Sequence, residues 1–118
     1  MIELTLPWPS PDLSPNSRGH WAIKARAAKA YRQACYITAK QQGLTRIDAP
    51  RLHATIIFYP PSKRRIDLDN CIARIKQAID AVAEISGVDD SKWTMSFSFA
   101  GEVGGMVKIN LEPMRMIG

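Results

Sequence analysis

The sequence predicts an α+β, two-layer domain: a mixed sheet of about four strands with two helices packed on it, in the order β-α-β-α-β-β. Three observations carry this. Two segments repeat apolar residues at helical spacing, four shorter ones alternate or run in β-branched and aromatic residues, and glycines and prolines punctuate the joins. The chain has 118 residues, 46% of them apolar, which suits one core and a single domain over residues 1–118.

Ile2 to Leu6 alternates apolar and polar and reads as a strand. Pro7, Pro9, Pro11 and Pro15 keep the next stretch out of regular structure. From Ala22 to about Gln42 the pattern is helical. Ile23, Ala27, Ala30, Tyr31, Ala34, Ile37 and Thr38 share one face, with Arg26, Lys29, Arg32 and Lys40 opposite and Gly43 as the stop. Leu52 to Tyr59 reads as a largely buried strand, closed by Pro60-Pro61. Asn70 to about Glu84 predicts a second helix whose core stripe is Ile72, Ile75, Ile79 and Val82, broken by Ser86-Gly87. Trp93, Met95, Phe97 and Phe99 alternate with Thr94, Ser96 and Ser98, which predicts a strand with one buried aromatic face. Gly101, Gly104 and Gly105 then turn the chain into a last strand, Met106 to Glu112, and the short link predicts a hairpin.

No apolar run approaches a membrane span and no signal peptide is apparent at Met1 to Leu6. Cys35 and Cys71 lack metal-type spacing and suggest no disulfide scaffold, so reduced thiols and a cytoplasmic location are expected. The net charge of +5 is unevenly placed: residues 1–66 carry eleven Lys/Arg against three Asp/Glu, residues 67–118 five against eight. No acidic residue stands between Leu13 and Ile47. A basic half beside an acidic half suits a polyanion held next to a cluster of carboxylates.

The stretch that concentrates this contrast is Lys63-Arg64-Arg65-Ile66-Asp67-Leu68-Asp69-Asn70, just past a strand end. Taken alone it is a charged loop with Asp69 as a helix cap. Taken with its surroundings it reads as a Mg²⁺ site, Asp67 and Asp69, beside cations that would grip phosphate. Asp69, Lys76 and Asp80 fall near one line if the second helix runs unbroken, so Lys76 either makes a surface pair with Asp80 or stabilises charge at the site. Asp89-Asp90 adds a second carboxylate pair, and if it converges on the first, three carboxylates surround one or two Mg²⁺, with Mn²⁺ as a substitute. The loop Ser14 to Trp21 carries Asn16, Arg18 and His20 and could grip a phosphate or a base, while Trp21 on its own reads as a pin to the core. His20 has no neighbouring ligand in register for a metal. No nucleophilic triad and no phosphate-binding glycine loop is present, so a nucleotide cofactor is not expected.

With these residues in view, the chain resembles the RusA family of Holliday junction resolvases over nearly its whole length. The resemblance rests on Leu6-Pro7-Trp8-Pro9, the Asn16/Arg18 loop and Lys29-Ala30-Tyr31-Arg32. It is most specific in Arg65-Ile66-Asp67-Leu68-Asp69-Asn70, in Lys76 with Asp80, and in Gly87-Val88-Asp89-Asp90-Ser91. It implies a homodimeric, Mg²⁺-dependent endonuclease that binds four-way DNA junctions and nicks two strands symmetrically. It implies Asp67, Asp69 and Asp90 as metal ligands and Lys76 as catalytic or DNA-contacting. Asn16, Asn70, Asp80 and Asp89 would support the site, and Arg18, Lys24, Arg26, Lys29, Arg32, Lys63, Arg64 and Arg65 would contact phosphate. One departure stands out: the best-known members place the lysine three residues after the Asn, whereas six separate Asn70 from Lys76 here, and Arg74 is an alternative cation. Asp89 and Asp90 both remain candidates for the later ligand. Two other readings are a non-catalytic basic DNA-binding module and a nuclease acting on forks or flaps. A dimer surface on the exposed part of the last two strands is a further expectation.

Overall fold

The computed structural model describes residues 1–15 and 20–115. Its elements are β1 (Ile2–Pro7), α1 (Trp21–Gln41), β2 (Arg51–Tyr59), α2 (Leu68–Arg74), α3 (Lys76–Ser86), β3 (Trp93–Phe99) and β4 (Met106–Met114), with short 3-10 turns at Pro11–Leu13 and Asp90–Lys92. The α+β architecture stands as expected, a four-stranded mixed sheet packed against helices, with three helices in place of two. Among the described residues no helix is long and apolar enough to cross a membrane.

The strand order is β1-β4-β2-β3, which corrects the expected hairpin. β3 and β4 do not pair. β3 lies parallel to β2, Leu52 beside Trp93 through Phe58 beside Phe99, with α2 and α3 forming the crossover that a parallel pair requires. β4 runs antiparallel between β1 and β2 and pairs with both. The link after β3 steps across the end of β2, where Gly104 N–H donates to Pro60 O and Gly105 N–H to Tyr59 O, both at 2.8 Å. A link of that length closes a hairpin or steps over one strand, about 10 Å, equally well. The central position satisfies both sides of β4's backbone, and Val107, Ile109 and Leu111 are fully buried.

The core gathers Leu4 and Leu6 of β1, Leu52, Ala54, Ile56 and Phe58 of β2, and the inner faces of the helices. α1 is rotated about a quarter turn from the face its apolar residues predict. Tyr31, Cys35 and Ala39 are buried, while Ile23 and Ile37 are 44% and 47% exposed. Polar anchors set the rotation. The Tyr31 hydroxyl donates to Pro7 O at 2.7 Å, and the Gln42 amide donates to Thr5 O at 2.7 Å while accepting from Thr5 N–H at 2.8 Å. Residues 31 and 42 lie three turns apart on one line, so both bonds form only when that line faces β1.

The predicted second helix is two. α2 ends at Arg74, Ile75 stands between the segments at φ −93°, ψ 8°, and its N–H reaches back to Ile72 O at 3.4 Å. α3 then begins at Lys76 and ends at Gly87, whose φ of +75° suits a residue without Cβ. Ile75, Ile79 and Val82 are buried as the stripe predicts, and Ile72 is half-buried.

Candidate functional site

β2 delivers Pro60 to the edge of a groove of about 630 Å³. Its walls include Trp8 and Pro11 from the proline-rich loop, Arg64, Arg65, Ile66 and Asp67 from the segment after β2, and Asn70 and Arg74 from α2. Trp8 is fixed by an edge-on contact with Phe58, ring centres 6.1 Å apart. Asn70 is fixed by Ser14, whose hydroxyl donates to its Oδ1 at 2.7 Å. The loop and the start of α2 are thereby clamped across the groove.

Asp67 occupies the N-cap position of α2, yet its side chain makes no capping hydrogen bond. Asp69 sits in the first turn and accepts from the Asn70 N–H at 3.0 Å. Both carboxylates are exposed. Capping by Asp69 in place of metal binding is thus limited to one local contact. Burial raises the Cys71 thiol pKa; Arg74 draws it down, while Asp67 and Asp69 push it up, so all three charges act on the same spot. The Arg74 Nε is buried and has no hydrogen-bond partner among the described residues. Lys63, Arg64 and Arg65 are exposed, and none makes an ion pair among the described residues.

A second carboxylate station lies on the other side of Ile75. The Lys76 ammonium donates to Asp80 Oδ1 and to Asp90 Oδ2, both at 2.8 Å. These bonds, to Asp80 first and Asp90 second, hold the Lys76 pKa well above the ordinary lysine value. Asp80, Asp89 and Asp90 share a shallow cleft of about 430 Å³ with Arg32 and Glu84, which pair at 2.9 Å. Asp89 faces its own turn and accepts from Ser91 N–H at 3.0 Å; the Ser91 hydroxyl first, and this N–H second, lower its pKa. Of the adjacent acids, Asp90 is therefore the one that faces Lys76.

The structure thus gathers Asp67, Asn70, Arg64 and Arg65 at one groove and Lys76, Asp80 and Asp90 at another. It does not gather the expected trio of Asp67, Asp69 and Asp90. Among the described residues no three His, Cys, Asp or Glu side chains form a group able to hold a metal. The break at Ile75 places Asp69 and Lys76 in separate helical segments and ends the line that an unbroken helix would draw between them. On α1, Arg26 and Lys29 are exposed, Lys24 is half-buried, and Arg32 is engaged by Glu84. Asn16 and Arg18 lie outside the described residues. His20 caps α1, its Nδ1 accepting from Ala22 N–H at 3.2 Å. Trp21 does not pin the loop to the core but stands 74% exposed beside the His20 ring.

Sequence reasoning passed over two groove residues. Trp8 enters the sequence reading only within Leu6-Pro7-Trp8-Pro9, as part of the family resemblance. Arg74 enters it only as an alternative cation to Lys76, although it lies seven residues after Asp67 and four after Asn70, spacings that put all three on one helix face.

No family model matches the chain. A protein of Xylella fastidiosa (strain Temecula1), described only as uncharacterized, is 42% identical over 96 residues, covering 79% of this chain. The chain spans 63% of that relative's length.

Proposed function

We propose that the chain is a Mg²⁺-dependent endonuclease acting as a homodimer on branched DNA, with four-way junctions as the substrate class. The observation that carries this is the groove in which an uncapped carboxylate, Asp67, stands beside Arg64, Arg65 and Arg74. A carboxylate released from capping is available to a cation, and the arginines around it match phosphate in charge and geometry. The donor set fits magnesium as far as Asp67 and Asp69 go. Mg²⁺ is commonly held by one or two carboxylates, with water and substrate phosphate completing its shell. When bound, the metal supplies a Lewis acid and an activated water for phosphodiester hydrolysis. The protein's own part is to grip the backbone through Arg64 and Arg65, to hold Arg74 in the groove wall, and to fix Asn70 through Ser14. Exposed Lys63, Arg26 and Lys29 extend the phosphate-binding surface. Asp90 and Lys76 act as a pair beside this centre, with Asp90 no longer assigned as a direct ligand.

Resemblance to the RusA resolvases motivates the choice of substrate. The test is incubation with a synthetic four-way junction, a fork and a flap, each with Mg²⁺ and with EDTA. Paired, metal-dependent nicks in the four-way junction are expected. Salt-sensitive binding of all three without cleavage in either buffer is the result that would leave a non-catalytic DNA-binding module, a reading favoured by the pairing of Asp80 and Asp90 with Lys76.

A further inference from the structure

β2 and β3 run parallel, so both end at the same edge of the sheet, Phe58 beside Phe99. The segments leaving those ends diverge, and a second groove of about 380 Å³ opens between them. One wall is the basic segment. Arg64, Arg65 and Ile66 line both this groove and that of Asp67, so the segment is the ridge between the two. The other wall is Phe99 with the loop that carries Glu102 and Val103. That loop is pinned at both ends to the end of β2, where Ala100 N–H donates to Phe58 O at 3.0 Å and Gly104 N–H to Pro60 O at 2.8 Å. Phe99 is 39% exposed and Val103 48%, and the Phe99 ring rests against buried Phe58, ring centres 6.2 Å apart.

We propose that this second groove is a base-stacking site for one unpaired nucleotide of a DNA strand crossing the ridge, with the base on Phe99 and a neighbouring phosphate on Lys63 and Arg64. The lining selects that occupant. Lys63, Arg64, Arg65 and Glu102 share the groove, and none of them makes an ion pair among the described residues. The cations suit a phosphate, but a bare phosphate has no use for an exposed aromatic ring and a valine. Glu102 repels an acidic peptide, yet it can accept from the amino group of a base such as cytosine. An apolar protein surface would strip water from the three cations and leave them unpaired. A nucleotide presents an anion at one end and a flat ring with N–H donors at the other, which is the combination this groove displays. Stacking on Phe99 needs a free base face, so the nucleotide is one taken out of the duplex stack. Its position beside the phosphate held at Asp67 rests on the nuclease reading above.

The test measures binding in EDTA, where cleavage plays no part. The probes are a short fluorescent oligodeoxycytidine and an abasic strand of the same length, each followed by anisotropy. The oligodeoxycytidine should bind the wild type about tenfold more tightly, the scale of one base stacked on an aromatic ring. Phe99→Thr should abolish that difference by weakening the oligodeoxycytidine alone, and Phe99→Trp should restore it. Threonine keeps a strand-favouring residue at this position, and a circular dichroism melt checks that the variant folds. The comparison of the two strands on the wild type needs no variant. Equal affinity of the wild type for both strands, or a folded Phe99→Thr variant that keeps the wild-type difference, overturns the proposal. A protein that shows the difference but cuts no junction keeps this site and loses the nuclease reading. One that cuts junctions and shows no difference does the reverse.

Discussion

The two carboxylate stations on either side of Ile75 use the same residue type in opposite ways. At Asp67 and Asp69 the carboxylates are exposed, Asp67 declines the cap its position offers, and the nearby arginines make no ion pair with it among the described residues. At Asp80 and Asp90 one ammonium already joins both acids at 2.8 Å. The first arrangement leaves charge available to a ligand. The second spends its charge within the fold, fastening α3 to the turn that opens β3. The difference separates a proposed reaction centre from a clamp.

The largest effect that would break this comparison lies at the first station. Asp69→Asn or Asp67→Asn preserves shape and removes the charge. Under the proposed function either change should lower Mg²⁺-dependent junction cleavage by about 100-fold or more, the scale of losing a group that holds a catalytic metal. Junction affinity measured by fluorescence anisotropy in EDTA should stay near the wild type. Cleavage by both variants at the wild-type rate would remove Asp67 and Asp69 from the chemistry. The arginines make a graded counterpart. Arg64→Ala and Arg65→Ala should each flatten the dependence of log affinity on log salt by about one unit, the signature of one lost phosphate contact.

Lys76→Met addresses the second station. The lysine side chain is 59% exposed, so its pairs contribute about 1 kcal/mol or less to stability. The variant also leaves Asp80 and Asp90 without a shared cation. A fall in melting temperature of about 3–5 °C is expected, with cleavage lowered less than about tenfold. The reverse pattern, an unchanged melt and cleavage lost by two orders of magnitude, would move Lys76 from clamp to reaction centre and restore the role its family resemblance implies.

The sequence displayed the fold's layers and hid its connections. Alternation in β1, β3 and β4 and the Ile75–Ile79–Val82 stripe were legible because burial on one face writes a period into the chain. Strand order was not, because a short glycine-containing link serves a hairpin and a step over β2 alike. The rotation of α1 was hidden for a different reason: Tyr31 and Gln42 set it through bonds to β1, and counting apolar residues misses such anchors. The break at Ile75 has neither proline nor glycine to announce it. That one unmarked residue is why the alignment of Asp69 with Lys76, which required an unbroken helix, does not form.

The smallest expected effect tests the assignment within the Asp89-Asp90 pair. Asp89 is fully exposed and serves its own turn through the Ser91 N–H. Asparagine caps about as well as aspartate, so Asp89→Asn should leave the melt at pH 7 and junction cleavage unchanged. Acid is where the two differ. The Asp89 pKa is lowered in the folded state, first by the Ser91 hydroxyl and then by its N–H, so its contribution is present above the unfolded value of 3.8 and lost as pH falls through the lower folded value. The variant lacks that titration, and its stability should fall slightly less steeply through that window. Asp90→Asn should instead reproduce much of the Lys76→Met melt, because it removes one of the two carboxylates that ammonium holds. If Asp89→Asn lowers the melt at pH 7 and Asp90→Asn does not, the two acids exchange roles and the clamp must be redrawn through Asp89.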